Sequence, residues 1–501
     1  MSHRLYSWLK QALREIGHLQ SVLAVLEWDQ ETLMPPKGTA RRAETTGYLE
    51  TLVHARTLAL NDGYRLADLH RWANKHPESE EAAVIRETWR VYTRATKLPP
   101  KFVRELAETR SRGHAAWVAA RKANDFKKFL PLLTEIITLK RRETELVGYQ
   151  HSPYDALLDT FEPELKSQEV SLLFHELRSA LVELLQAIRG SKIRLPSPKK
   201  LRGHFPEDKQ RAFNAWLAER LGFDLTAGRL DVSEHPFTTT FHPEDVRITT
   251  RYREDDLLFS MGSTIHEVGH ALYEQGLPAE HFGTPLAEAI SMGLHESQSR
   301  LWENLVGKSR PFWKFLHPHL RRAFPKPFAR LSLDEIYQMV NRVEPSLIRT
   351  EADEVTYNLH IIVRFEIEKD LIEGTLAPRD LPQAWKKKMK DYLGISVPDD
   401  RRGVLQDMHW SAGYFGYFPT YALGNLYASQ FFHAAKKDLP GLDRDITRGQ
   451  FAPLRTWLRT HIHIHGKRHT SASLIARVTG EELSARFFVE HLHKKYAEIY
   501  S

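Results

Sequence analysis

Apolar positions along the first third of the chain fall three and four residues apart, as the core-facing stripe of a helix requires. Leu5, Leu9, Leu13, Ile16 and Leu19, followed by Val22, Leu23 and Leu26, mark one face of a long first helix. Pro35, Pro36 and Gly38 end it, since proline lacks the N–H that a helix interior uses and glycine loosens the backbone. The same spacing predicts helices over 41–52, 79–94, 102–123, 125–146 and 167–189, and 190–206, with three prolines, reads as a loop.

The pattern changes between 231 and 252. Thr238-Thr239-Thr240-Phe241 and 246–252 are β-branched and alternating, as strands are. Val246, Ile248, Thr250 and Tyr252 share one face of the second strand, and Arg247, Thr249 and Arg251 share the other. Glu254, Asp255 and Asp256 then open a helix whose positive N-terminus favours acids, and Gly276 and Pro278 close it. Helical spacing resumes over 286–305 and from Leu333 onward, broken at Pro378, Pro382, Pro398 and the aromatic-rich stretch 413–421. The helices before and after the strands need one another to bury their apolar faces. The expectation is a mainly α chain with a small sheet, one domain over 1–501, with two lobes flanking a cleft.

Composition narrows the chemistry. The chain has 501 residues, 42% hydrophobic and 27% charged, the profile of a soluble globular protein. There is no cysteine, which excludes disulfides, thiolate metal sites and cysteine nucleophiles; any metal must rest on His, Asp or Glu. The net charge of +7 is spread out, and the basic clusters at 192–202 and 386–390 read as solvated faces, with no nucleic-acid partner expected. No apolar run nears the roughly 18 residues of a membrane span, and the N-terminus lacks an h-region, so a cytoplasmic location and no membrane partner are expected.

The helix after the strands carries His266-Glu267-Val268-Gly269-His270. Histidines at i and i+4 stack on one helix face and can reach one metal ion, and Glu267 lies about 100° round the helix, within reach of a metal-bound water. With 26 histidines in the chain, this pattern alone arises by chance in about one such chain in ten, so its surroundings must decide. A catalytic zinc takes a third protein ligand, and Glu296 on the following helix can supply it. Glu288 is an alternative third ligand. His295, adjacent to Glu296, points elsewhere and suits a supporting or substrate contact.

Several blocks extend this pattern in order. They are His235-Pro236-Phe237, Asp245-x-Arg247-x-Thr249, His295-Glu296-Ser297-Gln298, Ile348-Arg349-x-x-Ala352-Asp353, and Gly403-x-x-Gln406-Asp407-x-His409-Trp410. Trp28-Asp29-Gln30-Glu31-Thr32 and Gly416-Tyr417-Phe418-Pro419-Thr420-Tyr421 belong with them. Over nearly its full length the chain resembles the M32 metallocarboxypeptidases, the carboxypeptidase Taq family. The resemblance implies a large helical metallopeptidase fold with a deep central groove and a small sheet beside the H-E-x-x-H helix. It implies one zinc per subunit, with cobalt or another divalent ion able to substitute, a homodimer, and release of single C-terminal residues with broad specificity. It places the metal on His266, His270 and Glu296, with Glu267 as general base.

The same likeness, with the chemistry of the residues, suggests the remaining roles. Tyr417 is the first candidate to stabilise the oxyanion, because related helical metallopeptidases place a tyrosine in a similar Gly-Tyr stretch. His409 is the second, or holds the carbonyl of the final residue. A free carboxylate needs a bidentate arginine. Arg349 is the best candidate and Arg247 the alternative, unless Asp245 occupies it. Gln406, Tyr421, His235 and His295 complete the expected substrate contacts. The histidine-rich tract 460–469 reads as packing or adventitious binding, remote from the ligands, and Trp28-Asp29 as helix-end structure or groove wall. Two competing readings are a metallo-endopeptidase with the same chemistry and a non-catalytic basic protein binding nucleic acid or a partner.

Overall fold

A computed structural model describes residues 3–501. The first helix, α1 (His3–Thr32), runs to the expected break, and its Leu9, Leu13 and Ile16 are buried. They join Leu60, Leu66, Leu69, Ala73 and Ala82–Ile85 in a small N-terminal core. A much larger core takes in nearly everything from Ala120 onward. Leu286 is the one member of the small core contributed from beyond the N-terminal helices.

The sheet has three strands, one more than the alternation indicates. β1 (Gly228–Val232), β2 (Thr238–His242) and β3 (Asp245–Thr250) lie in the order β1-β3-β2, with β1 parallel and β2 antiparallel to β3. Gly228-Arg229-Leu230-Asp231-Val232 has little β-branched content; its pairing with Val246 to Thr250, a long-range effect, makes it a strand. β3 ends at Thr250, so Tyr252 falls outside it.

The sheet packs under α2 (Leu257–Glu274), which carries the H-E-x-x-H residues. Asp256 caps it by accepting from the Phe259 N–H at 3.3 Å. The segment 286–305 is not one helix. Pro285–Ala287 form a single tight turn, Ser291 accepts from the Leu294 N–H at 3.1 Å, and only then does α3 (Met292–Arg300) begin. It runs into a wider π-helical stretch, Leu301–Val306. Two further helices enclose the region, α4 (Thr356–Glu373) and α5 (Pro419–Asp438), both largely buried.

Candidate metal centre and substrate pocket

α2 and α3 approach unusually closely, and Gly269 permits it. A Cβ there would stand 2.5 Å from the Ser299 Cα and 2.6 Å from the Gln298 carbonyl. The glycine inside the H-E-V-G-H run therefore brings Glu296 to the two histidines. Nε2 of His270 lies 3.3 Å and Nε2 of His266 3.7 Å from Oε2 of Glu296, and the three donor atoms lie within 4.8 Å of one another.

Neighbouring side chains set the orientation of each donor. Nδ1 of His266 lies 2.8 Å from Glu303, so a proton held there leaves the Nε2 lone pair facing Glu296. Arg300 Nε donates to Glu296 Oε1 at 2.6 Å, Ser299 donates to Oε2 at 3.0 Å, and Arg300 also reaches Glu303 at 3.2 Å. His295 stacks on His270, centroids 4.4 Å apart, and its Nε2 meets Glu274 at 2.8 Å. Burial pushes the Glu296 carboxyl up, but Arg300 and the imidazoles outweigh it and hold the group well below its ordinary range. Burial lowers both imidazoles; His270 sits at about 3, while Glu296 and Glu303 lift His266 to about 9. Two imidazole nitrogens and an anionic carboxylate oxygen, mutually close and each fixed from behind, fit a divalent cation.

Glu267 is buried beside this cluster. Its Oε2 accepts from the Thr238 hydroxyl at 2.7 Å, tying the helix to β2, and burial raises its pKa. Glu288 lies elsewhere, ion-paired with Lys467.

A second cluster surrounds Arg349. Its Nε and Nη2 both donate to Asp407 Oδ1 at 3.0 Å, and Nη1 donates to the Tyr357 hydroxyl at 3.2 Å. Asp407 also accepts from Arg364 Nε at 2.7 Å, so one carboxylate serves two buried guanidiniums. Gln406 is already engaged: its Oε1 accepts from the Arg349 N–H at 3.0 Å and from Arg364 at 2.8 Å. Tyr421 lies beneath Arg349 at 5.0 Å and its hydroxyl is 3.3 Å from His409 Nε2. Burial pushes His409 down to about 4 and, with help from Glu296, Tyr417 up to about 12. At neutral pH the first is a neutral imidazole and the second a protonated donor.

Glu368 holds the segment bearing both. It accepts from Trp410 Nε1 at 2.7 Å, from the Gly416 N–H at 3.0 Å and from the Tyr154 hydroxyl at 2.7 Å. Gly416 adopts φ +89°, and a Cβ there would meet the Leu157–Leu158 backbone at 2.7–2.8 Å.

Arg247 is half satisfied by Asp245, at 3.1 and 3.2 Å, and stacks on Trp28 at 4.4 Å and Phe241 at 4.5 Å. Trp28 thus docks α1 on the sheet, and Asp29 pairs with Arg42. His235 lies exposed between β1 and β2. The histidine tract is nearer the site than expected: His463 is buried, 2.9 Å from Gln298, with its ring against Tyr273 of α2. It packs behind the metal helices rather than apart from them.

The spacing did not point to Glu303, Arg300, Thr238, Asp407, Tyr357 or Glu368. Glu296, Arg300 and Glu303 stand at i, i+4 and i+7, which is the one signal that could have found two of them.

A mainly helical scaffold with a small sheet under an H-E-x-x-H helix defines a metallopeptidase. The description "Carboxypeptidase Taq (M32) metallopeptidase" matches residues 8–496. The chain is 44% identical to "Thermostable carboxypeptidase 1" of Thermus thermophilus, over 99% of each, and 39% identical to "Carboxypeptidase 1" of Bacillus subtilis, over 97% of each. It superposes on the crystal structure of an M32 carboxypeptidase from Deinococcus radiodurans with TM-score 0.94, at 38% identity and 99% coverage of both. The chain belongs to the M32 family and is a metallocarboxypeptidase.

Proposed function

We propose that the protein is a zinc-dependent carboxypeptidase that removes single residues from free peptide C-termini with broad specificity. His266, His270 and Glu296 would hold the ion, a His₂Glu set that suits catalytic zinc, and cobalt or another divalent ion would substitute. Zinc bound there supplies Lewis acidity, polarising the scissile carbonyl and lowering the pKa of water toward about 7.

The chain's own groups perform the rest. Glu267, with one oxygen held by Thr238, accepts the attacking water's proton on the other and passes it to the leaving amine. Tyr417 donates its hydroxyl to the developing oxyanion, and His409, neutral, is the second donor available to it. The observation that carries the exopeptidase reading is at Arg349. Its Nε–Nη2 edge is taken by Asp407 and one Nη1 hydrogen by Tyr357, which leaves one hydrogen on each Nη for a substrate carboxylate. Tyr421 supports that guanidinium from below, and Gln406 fixes its backbone. Arg247, His235 and His295 are assigned to more distant substrate contacts, Arg247 being the weaker carboxylate candidate because Asp245 pairs with it.

We further assign residues 1–501 to one peptidase domain with a groove between lobes, a cytoplasmic location and a homodimeric state. Exposed Val22 and Val25 on α1, Leu33 just after it and Tyr48 in the helix Thr39–Ala59 support the dimer, and no helix among the described residues is long and apolar enough to cross a membrane. Mass spectrometry of a peptide mixture tests the activity. Products one residue shorter from free C-termini, with amidated peptides spared, are expected. Internal cleavage of both would replace this reading with an endopeptidase. Glu267→Gln should retain metal and lose turnover; near-normal turnover refutes its role as base.

A further inference from the structure

A cavity of about 300 Å³ opens directly behind the metal cluster, at the small end of the roughly 300–1,000 Å³ usual for ligand pockets. His295 forms part of its wall, and the same ring stacks on His270. Phe161 forms another part, its ring edge-to-face with Tyr417 at 5.0 Å. A row of ring contacts links the proposed carboxylate seat to this cavity. Arg349 lies over Tyr421, Tyr421 meets Tyr417 at 5.3 Å, and Tyr417 meets Phe161. A peptide whose carboxylate sits on Arg349 and whose last peptide bond lies at Tyr417 therefore continues toward this cavity.

Its walls are mostly apolar, with the hydroxyl residues Thr160 and Ser291, and its charged groups are internally neutralised. Phe161, Pro163, Ala289, Ile290 and Met292 contribute apolar surface. The charged groups are already matched. His295 meets Glu274 at 2.8 Å, Lys467 pairs with Glu288, and Arg90 pairs with Glu87 at 3.2 Å and Asp159 at 3.7 Å. An ionised side chain would find no unpaired counter-charge there, and its desolvation would go uncompensated.

We propose that this cavity receives the side chain of the residue preceding the scissile bond and selects a large apolar one. The proposal rests on the carboxypeptidase reading above and adds where the second-to-last residue is recognised.

The test is a series of N-blocked peptides sharing one C-terminal residue and differing at the penultimate position as Ala, Leu, Phe or Glu. The unmodified holoenzyme should favour Leu and Phe over Ala and Glu by at least about tenfold in kcat/KM, the scale on which an apolar pocket discriminates. Ala289→Trp, which fills the cavity, should erase or invert the Leu/Ala and Phe/Ala ratios while leaving preference for the C-terminal residue unchanged. Met292→Asp, at the exposed rim, should depress Leu and Phe peptides about tenfold and carries the test should the tryptophan variant misfold by thermal melt. Dissociation constants of the same peptides on Glu267→Gln should follow the same order. A flat penultimate profile in the unmodified enzyme, an equal loss on every peptide, or a change in C-terminal preference would overturn the proposal. Equal cleavage of free and amidated peptides would instead overturn the carboxypeptidase reading.

Discussion

Replacing Arg349 by alanine separates recognition from folding unusually well. Removal of one partner of a buried ion pair ordinarily strands the other charge at a cost of about 3–5 kcal/mol. Here Asp407 keeps Arg364, whose Nε donates to its second oxygen at 2.7 Å, so no uncompensated carboxylate remains. On the proposed assignment, what the variant loses is a two-hydrogen-bond, charge-assisted seat for the substrate carboxylate. Truncating such a pair costs about 2–5 kcal/mol, and about 3 kcal/mol corresponds to a fall of roughly 10²-fold in kcat/KM. The assay compares N-blocked peptides with free and amidated C-termini. Arg349→Ala should lower kcat/KM on free peptides by about that factor and leave amidated ones nearly unchanged, so the gap between them closes. Arg349→Lys restores the charge without the fork and should recover only part of the loss. A loss below about threefold on free peptides, or an equal loss on both, refutes the assignment of Arg349 as the clamp.

Gly269→Ala should force α2 and α3 apart, since its new methyl would stand 2.5 Å from the Ser299 Cα; a loss of about 1–3 kcal/mol and weakened metal retention are expected, read by thermal melts and metal analysis after dialysis. Glu368 gives a pH signature. Burial raises it from 4.5 to about 7, so the folded chain keeps a proton that the unfolded chain releases, and stability falls as pH rises between those values by at most about 3 kcal/mol. Glu368→Gln should remove that slope between about pH 4.5 and about pH 7, whatever its absolute melting temperature. A slope equal to the parent's would show that Glu368 does not titrate there.

The motif residues were legible because their chemistry is local: His266 and His270 share a helix face by spacing alone, and the next helix supplies the third donor. The groups that orient them were less so. Glu303 follows Glu296 and Arg300 at helical spacing, but spacing alone does not distinguish a group that orients a histidine from an ordinary ion pair on a helix surface. Asp407 and Glu368 act through partners 42 to 214 positions away, and no periodicity reports that. β1 was missed because a strand of Gly-Arg-Leu-Asp-Val is made by its neighbour, not by its own propensity. The helix expected from Leu286 starts six residues later because Ser291 caps it there and the preceding segment turns to seal the N-terminal core with Leu286 itself.

One carboxylate shared by Arg349 and Arg364 leaves the pocket one positive charge in excess, a deficit the substrate's terminus would fill. This has a bearing on processivity. If Arg349 seats the substrate carboxylate as proposed, the released amino acid would still hold it after hydrolysis, while the shortened peptide's new carboxylate would emerge one residue short of it. The peptide cannot advance until the amino acid has left, and nothing in the clamp retains it meanwhile. Trimming in single, separate encounters follows, with intermediates of every length accumulating as a ladder.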